Sequence, residues 1–388
     1  MPIESIDVKG YRSVRDLFLQ LRPLNVLVGP NGCGKSNLYN AMFLLHAAAS
    51  GQFAQSIADE GGMPSVLWAG GDYEEKISYR DKGPVRMTLA ITIDSVNYEL
   101  IVGLAGPGDA IGPFQLDPRI KEENVYYLNG KTRSQLLDRG PTSVWLRDAE
   151  GQRQSYTMAL SPTESVLSQL KEPHRFPQLS TLREHFLSWR FYHHFRTDVE
   201  SKIREERVGV FTPVISHDGR DLAAALLTIR HIGDATLLRQ SVAKGLAGAS
   251  IEIDGGDGRF VVYLRTPGIY RPLHARELSD GTLRYLCLLA ALLSPRPPSF
   301  LALNEPETSL HPDLLKPLAE LIAKASTRSQ IWITTHSTAL ADYIEQYSGI
   351  PSIRLEKVNG ATTLIGEPFG DFVEMYGAPK PKSAKKRG

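Results

Sequence analysis

Gly29-Pro30-Asn31-Gly32-Cys33-Gly34-Lys35-Ser36-Asn37 is the stretch that decides the fold. It lies between Leu24 to Val28, an apolar run that reads as a buried strand, and Asn37 to Ala48, whose apolar spacing predicts a helix. Strand, glycine-rich loop and helix in that order make a phosphate-binding loop. Glycines 29, 32 and 34 let the backbone bend so that successive N–H groups point inward, and the helix adds the positive end of its dipole. In such a loop Lys35 reaches the β- and γ-phosphates of a nucleotide and the Ser36 hydroxyl ligates Mg²⁺.

The chain around that loop has 388 residues and 42% apolar content, enough for roughly two or three packed units. A net charge of +1 supplies no whole-molecule field for nucleic acid or anionic membrane, so any such surface is local. Cys33 and Cys287 stand far apart without metal-ligand spacing, which fits a reducing cytosol. The first residues show neither a basic n-region nor an apolar h-region. The best apolar run, Leu286 to Leu293, stops at Pro295, short of a membrane span. The expected setting is cytoplasmic, with no membrane partner.

Residues 3 to 28 read as two or three strands with a first turn at Gly10-Tyr11-Arg12-Ser13. If these strands pair, Arg12 comes near the loop as a phosphate or adenine contact. Ser50 to Gly71 reads as irregular, with Gln52 and Gln55 both candidates to sense Mg²⁺ or the γ-phosphate. Residues 76 to 105 alternate as antiparallel strands over Ile77 to Tyr79, Val85 to Ile93 and Tyr98 to Val102, and strand-like pieces recur at Val125 to Leu128 and Ser143 to Leu146. Helices are expected over Ser165 to Leu170, Leu179 to Trp189 and 221 to 248. A hairpin of Ser250 to Ile253 with Phe260 to Leu264 turns at Gly255 to Gly258. The aromatic and basic run Arg190 to Arg196 reads as core, with stacking on bases or contact with phosphates as the alternative, and His185, His193 and His194 read as satisfied or solvated histidines.

Three further motifs follow. Glu277-Leu278-Ser279-Asp280-Gly281-Thr282 leads into the apolar helix Leu286 to Leu293, a second helix end suited to an anion. Phe300 to Asn304 is a continuous apolar run ending in polar residues, the pattern of a buried parallel strand. It delivers Glu305 to the carboxyl edge of a sheet, placed to polarise an attacking water. Gln330 to Thr335 is a second such strand, carrying His336 to touch a γ-phosphate or orient water.

In this order the motifs resemble the ABC-type ATPase heads of the SMC and RecF class, and more closely the small AAA-labelled, OLD-like ATPases of bacteria. The resemblance covers about residues 1 to 60 and 270 to 365. It implies an α/β fold, a P-loop NTPase head of ABC type with a mixed central sheet and helices, to which the strands and helices read in the middle of the chain add an antiparallel β subdomain and a helical insertion. The expected borders are 1–60 with 270–388 for the core, 61–165 for the β subdomain and 166–269 for the insertion. It makes Leu278, Ser279, Asp280, Gly281 and Thr282 the signature motif, which meets the γ-phosphate held by a second copy. It makes Lys35 and Ser36 the Walker A pair, Asn304 and Glu305 the end of Walker B, Ser309 to His311 the D-loop and His336 the switch histidine. Gly10 to Ser13 is similar to the family's N-terminal turn, which supports Arg12 at the nucleotide.

The chain departs from that pattern in places. Asn304 stands where the family has an aspartate, so a charged partner of Mg²⁺ becomes a neutral one and slow hydrolysis is expected. Ser-Asp-Gly replaces the transporters' Ser-Gly-Gly. No heptad pattern, and no acidic cluster of a Toprim nuclease, is present.

The expected function is that of an ATP- and Mg²⁺-dependent ATPase that closes as a homodimer around ATP, in DNA repair, recombination or phage defence. The alternative is a nucleotide-gated scaffold with negligible hydrolysis that clamps a partner such as a separately encoded nuclease. DNA is a second candidate partner, and the basic run Lys380 to Arg387 suits its phosphates.

Overall fold

A computed structural model describes residues 1–68, 70, 86–106, 113–130, 132–156 and 160–366. In chain order the strands are β1 (Ile3–Tyr11), β2 (Val14–Gln20), β3 (Leu24–Val28), β4 (Arg86–Ile93), β5 (Val96–Gly103), β6 (Arg119–Asn129), β7 (Thr132–Arg139), β8 (Val144–Arg147), β9 (Arg153–Ser155), β10 (Arg190–Tyr192), β11 (Arg207–Val208), β12 (Ser250–Asp254), β13 (Arg259–Arg265), β14 (Leu273–His274), β15 (Phe300–Asn304), β16 (Gln330–Thr335), β17 (Ile353–Val358) and β18 (Ala361–Leu364). The helices are α1 (Lys35–Ser50), α2 (Phe53–Asp59), α3 (Met63–Val66), α4 (Val166–Gln169), α5 (Pro177–Leu187), α6 (Leu222–Ile232), α7 (Ala235–Gly245), α8 (Asp280–Leu292), α9 (Leu315–Ala325) and α10 (Thr338–Ser348). The expected strand at 77–79, residue 85 and the basic run at 380–387 lie outside the described residues.

The central sheet runs β10-β15-β16-β3-β17-β18, parallel as far as β17, with β18 antiparallel. β3 and β15 are buried at every position, as strands covered on both faces must be. Alternate side chains feed two cores. Leu27, Ala302 and Trp332 pack with Leu38 and Leu45 of α1, while Val26, Leu303 and Ile333 pack with residues of α8, α9 and α10.

Beyond α1 lies a second, antiparallel sheet of order β2-β1-β4-β5-β6-β7-β8-β9. Its Ile6, Val8 and Leu89 share the first core with α1. Sandwiched between two sheets, α1 is apolar around most of its circumference from Leu38 onward.

Several expectations need correction. Of the stretch Ser50 to Gly71, read as irregular, the described residues 50–67 are helical in large part: Gly51, at φ 76°, ends α1, and α2 and α3 follow. Phe53 and Ile57, four apart, form the buried stripe that marks α2. The sheets also cross the expected borders. β1 and β2 belong to the antiparallel sheet, and β10, inside the expected helical insertion, pairs in parallel with β15. Residues 166–269 further hold β11, β12 and β13 beside their four helices.

One buried ion pair pins α4 to the antiparallel sheet. Arg139 Nη1 lies 3.3 Å from Glu123 Oε2, and the carboxylate also accepts from Tyr98 OH (3.1 Å), Ser165 Oγ (2.5 Å) and the Val166 N–H (2.9 Å). Arg139 donates further to the carbonyls of Glu164 and Ser161. Arg139→Ala would leave a buried carboxylate without its cation, and the expected loss of stability is about 3–5 kcal/mol. Urea unfolding reads it directly, and an unchanged midpoint would contradict the assignment.

Candidate functional site

Strand register builds the site. Val28 pairs with Thr335, Thr334 with Asn304, and Leu303 with Tyr192, so β3, β16, β15 and β10 end nearly level. The residues that leave the sheet there are Gly29, His336, Glu305 and His193. Neighbouring strands stand about 4.8 Å apart, which puts His336 one spacing and Glu305 two spacings from the loop. Open α/β sheets bind ligands at this edge.

Gly34 precedes α1 at φ 106° and provides no side-chain cap; the Asn37 N–H is taken by the Gly34 carbonyl (3.1 Å), and the N–H groups of Lys35 and Ser36 are the ones a helix start offers to an anion. A Cβ on Gly34 would fall 2.0 Å from Thr362 Oγ1, so the position excludes any other residue on space as well as conformation. Lys35 is buried. Its Nζ donates to the carbonyls of Gly29 (2.7 Å) and Pro30 (3.0 Å), while Ser36 is exposed at the first turn. Cys33 is buried 3.8 Å from that ammonium, and Asn31 and Gly32 form the exposed tip.

Glu305 sits at φ 46°, a left-handed backbone that costs a non-glycine residue of order 1–3 kcal/mol. Both of its backbone groups are pinned. Its N–H donates to Thr334 O (2.8 Å), and its carbonyl accepts from Arg284 Nη2 (2.9 Å). Its carboxylate Oε1 meets His336 Nε2 at 2.5 Å. Asn304 Oδ1 accepts from the Thr334 hydroxyl at 2.6 Å, which leaves it one lone pair unused by that bond. Glu307 accepts from Thr335 Oγ1 and from the N–H groups of His336 and Ser337, fixing the tip of β16.

The Arg12-Ser13 turn abuts the loop, though its two side chains do different things. Ser13 Oγ accepts from Asn37 Nδ2 (2.7 Å) and lies 2.7 Å from Thr362 Oγ1, tying the first turn, the phosphate loop and the β17–β18 hairpin together. Arg12 is held by Glu60 at 2.7 Å, and the same carboxylate accepts from Tyr11 OH (2.8 Å) and Asn40 Nδ2 (3.3 Å). Neither glutamine is brought here. Gln52 caps α2 at the far end of α1, about 24 Å along its 16 residues, and Gln55 pairs with Asp59.

Ser279 caps α8: its Oγ accepts from the Thr282 N–H at 3.2 Å, and the residue is exposed. Leu278 is buried beneath it. Gly281 lies against the main chain of Ser309, where a Cβ would meet the carbonyl oxygen at 2.4 Å. Ser279 to Thr282 and Ser309 to Leu314 line an open cavity of about 720 Å³ together with Gly245, Leu246 and Ala247.

Sequence reasoning missed three participants. Glu60 holds Arg12, Thr362 locks the loop, and β10 delivers His193 and His194 to the sheet edge, where His194 Nδ1 accepts from Arg284 Nη1 at 3.0 Å. Burial lowers the pKa of the Arg284 guanidinium, and burial next to that guanidinium lowers that of His194. None of these three carries a local signal, because each partner lies far away in the chain. Among the described residues no cluster of three metal-ligating side chains occurs, and no helix is long and apolar enough to cross a membrane.

The family model described as "AAA domain, putative AbiEii toxin, Type IV TA system" matches residues 24–342, from β3 into α10. No curated protein matches the sequence. Among solved structures, the SMC head bound to the C-winged helix domain of ScpA is 15% identical, with 94% of this chain and 98% of that one covered and a TM-score of 0.51. An Smc head with an extended coiled coil, bound to the C-terminal domain of ScpA and derived from Pyrococcus furiosus, is 14% identical over 94% and 95% of the two chains, with a TM-score of 0.50. At these identities the likeness is one of fold.

Proposed function

The chain belongs to the AAA domain family matched over residues 24–342, and from that premise we propose that it hydrolyses ATP and dimerises around it as a nucleotide-driven switch. A P-loop ATPase is the common ground of that family and of the SMC-head fold. The finer reading rests on one observation. Ser279 is exposed on a cavity lined by no residue of the phosphate loop and by neither Glu305 nor His336. A signature serine so placed serves a nucleotide held by another molecule, and a second copy provides it.

The loop suits a triphosphate: a helix end without a side-chain cap, a cradle closed to a Cβ at Gly34, and a lysine held by two carbonyls and the Cys33 sulfur. Ser36 and Asn304 would hold Mg²⁺ through hydroxyl and amide oxygens, and the ion would neutralise charge on the phosphate oxygens. In this reading Lys35 exchanges Gly29 and Pro30 for phosphate oxygens. Glu305 takes a proton from the attacking water, and His336 keeps its carboxylate oriented. Gly281 and Ser279 of the second copy complete the site, and Arg12 joins it on release from Glu60.

Light scattering with and without ATP tests this. ATP, and not ADP, is expected to double the mass; a monomer at every ATP concentration would overturn the reading.

Asn304 favours a second reading, a nucleotide-gated scaffold with negligible hydrolysis that clamps an effector. Asn304→Asp distinguishes them. Supplying the carboxylate is expected to raise an already measurable phosphate release about tenfold, ~1.4 kcal/mol off the barrier, whereas a scaffold silenced by Asn304 would release no phosphate above a Glu305→Gln control until the carboxylate is supplied. We place the switch in the cytoplasm. The client proposed is DNA or a separately encoded nuclease, in repair, recombination or phage defence. The family's description names a toxin–antitoxin system, and the two SMC heads are bound to ScpA domains, which supports a protein partner.

A further inference from the structure

Between the tip of β10 and the signature turn lies an arginine that no motif includes. Arg204 is 8% exposed at its side chain, yet it sits on a surface segment with no catalytic group of its own. Its Nη1 donates to the carbonyls of Leu278 (2.7 Å), Ala275 (3.1 Å) and Arg276 (3.3 Å), and its Nη2 to Asp280 Oδ1 (2.7 Å). Its other face donates to the carbonyls of Thr197 (2.8 Å from Nη2) and Asp198 (3.1 Å from Nε). One planar guanidinium thus joins residues 197–198 to 275–280, on both sides of Ser279 in sequence.

The same two segments meet again one turn along α8. Arg284 joins His194, four residues after Arg190 begins β10, to the carbonyl of Glu305. The segment 194–204 is therefore latched to the signature helix at both ends, and one of those latches reaches the backbone of Glu305. We propose that Arg204 is a positioning residue that sets the angle at which Ser279 and the start of α8 are offered to a second copy's nucleotide. It does so without touching nucleotide. The chemistry favours arginine: the fork reaches several carbonyls in one plane, where a lysine ammonium reaches fewer and without fixed direction.

This rests on the reading of Ser279 as the group presented in trans, so the test separates the two. Arg204→Lys keeps the charge and the stem in a buried place, and Arg204→Ala removes both. For each, three quantities are read: ATP affinity of the monomer, the ATP-dependent dimerisation constant, and hydrogen exchange at the amides of 278–283 without nucleotide. Losing charge-assisted bonds of roughly 1.5–3 kcal/mol predicts dimerisation weaker by about 10- to 100-fold and faster exchange at 278–283. ATP affinity is expected to stay at the wild-type value.

Unchanged exchange in Arg204→Lys overturns the proposal, as does unchanged dimerisation. A proportional fall in ATP affinity and dimerisation also overturns it, by showing a general stability role. If Arg204→Ala does not fold, Arg204→Lys decides alone. If the wild-type chain fails to dimerise with ATP, the trans reading falls, while the exchange result still reports whether Arg204 holds the turn.

Discussion

Glu305→Gln is expected to lower steady-state phosphate release by about 10²- to 10⁴-fold, the range that a positioned general base contributes. The substitution keeps the shape and removes the negative charge and the proton affinity. The left-handed backbone at this position stays pinned by Thr334 and Arg284 in the variant, because those bonds use the main-chain atoms of residue 305. ATP affinity should therefore persist, and the ATP-bound dimer should outlive that of the wild type because it no longer turns over. Phosphate release measured beside mass by light scattering checks both halves. Undiminished release would remove Glu305 from its proposed role, and a lost dimer would show that the carboxylate is needed for assembly.

Lys35→Ala is expected to weaken ATP binding by roughly 10²- to 10³-fold. The side chain is buried and supplies the only ammonium that contacts the loop carbonyls among the described residues. Each charge-assisted bond it would make to phosphate is worth roughly 1.5–3 kcal/mol. Isothermal titration with ATP reads the loss. Binding that survives at wild-type strength would mean that the nucleotide sits elsewhere. Far-UV circular dichroism should be unchanged, since α1 is held by its apolar contacts with both sheets and not by Lys35.

Local chemistry made much of this molecule legible. The strand, loop and helix at 24–48, the two buried strands ending at Asn304 and Thr335, and the helix opened by Ser279 each announce themselves within about a dozen residues. Run length, alternation and capping are properties of neighbours in the chain, so they survive in sequence. Arg190 to Tyr192 was hidden for the opposite reason. Three residues of mixed polarity become a strand only because β15 offers free backbone groups beside them. The Glu60 lock on Arg12 and the Thr362 contact at Gly34 likewise join positions 48 and more residues apart.

By itself, then, the sequence determined the phosphate loop, the order of the four motifs and the apolar faces that bury them. Only the tertiary structure decided which groups stand together: His336 on Glu305, Arg204 under Ser279, and an exposed serine that opens onto a cavity remote from its own loop in lining. The reason is physical. Hydrogen bonding and hydrophobic alternation act along the chain, whereas strand register and helix packing act across it, and a site at the edge of a parallel sheet is assembled wholly by the latter.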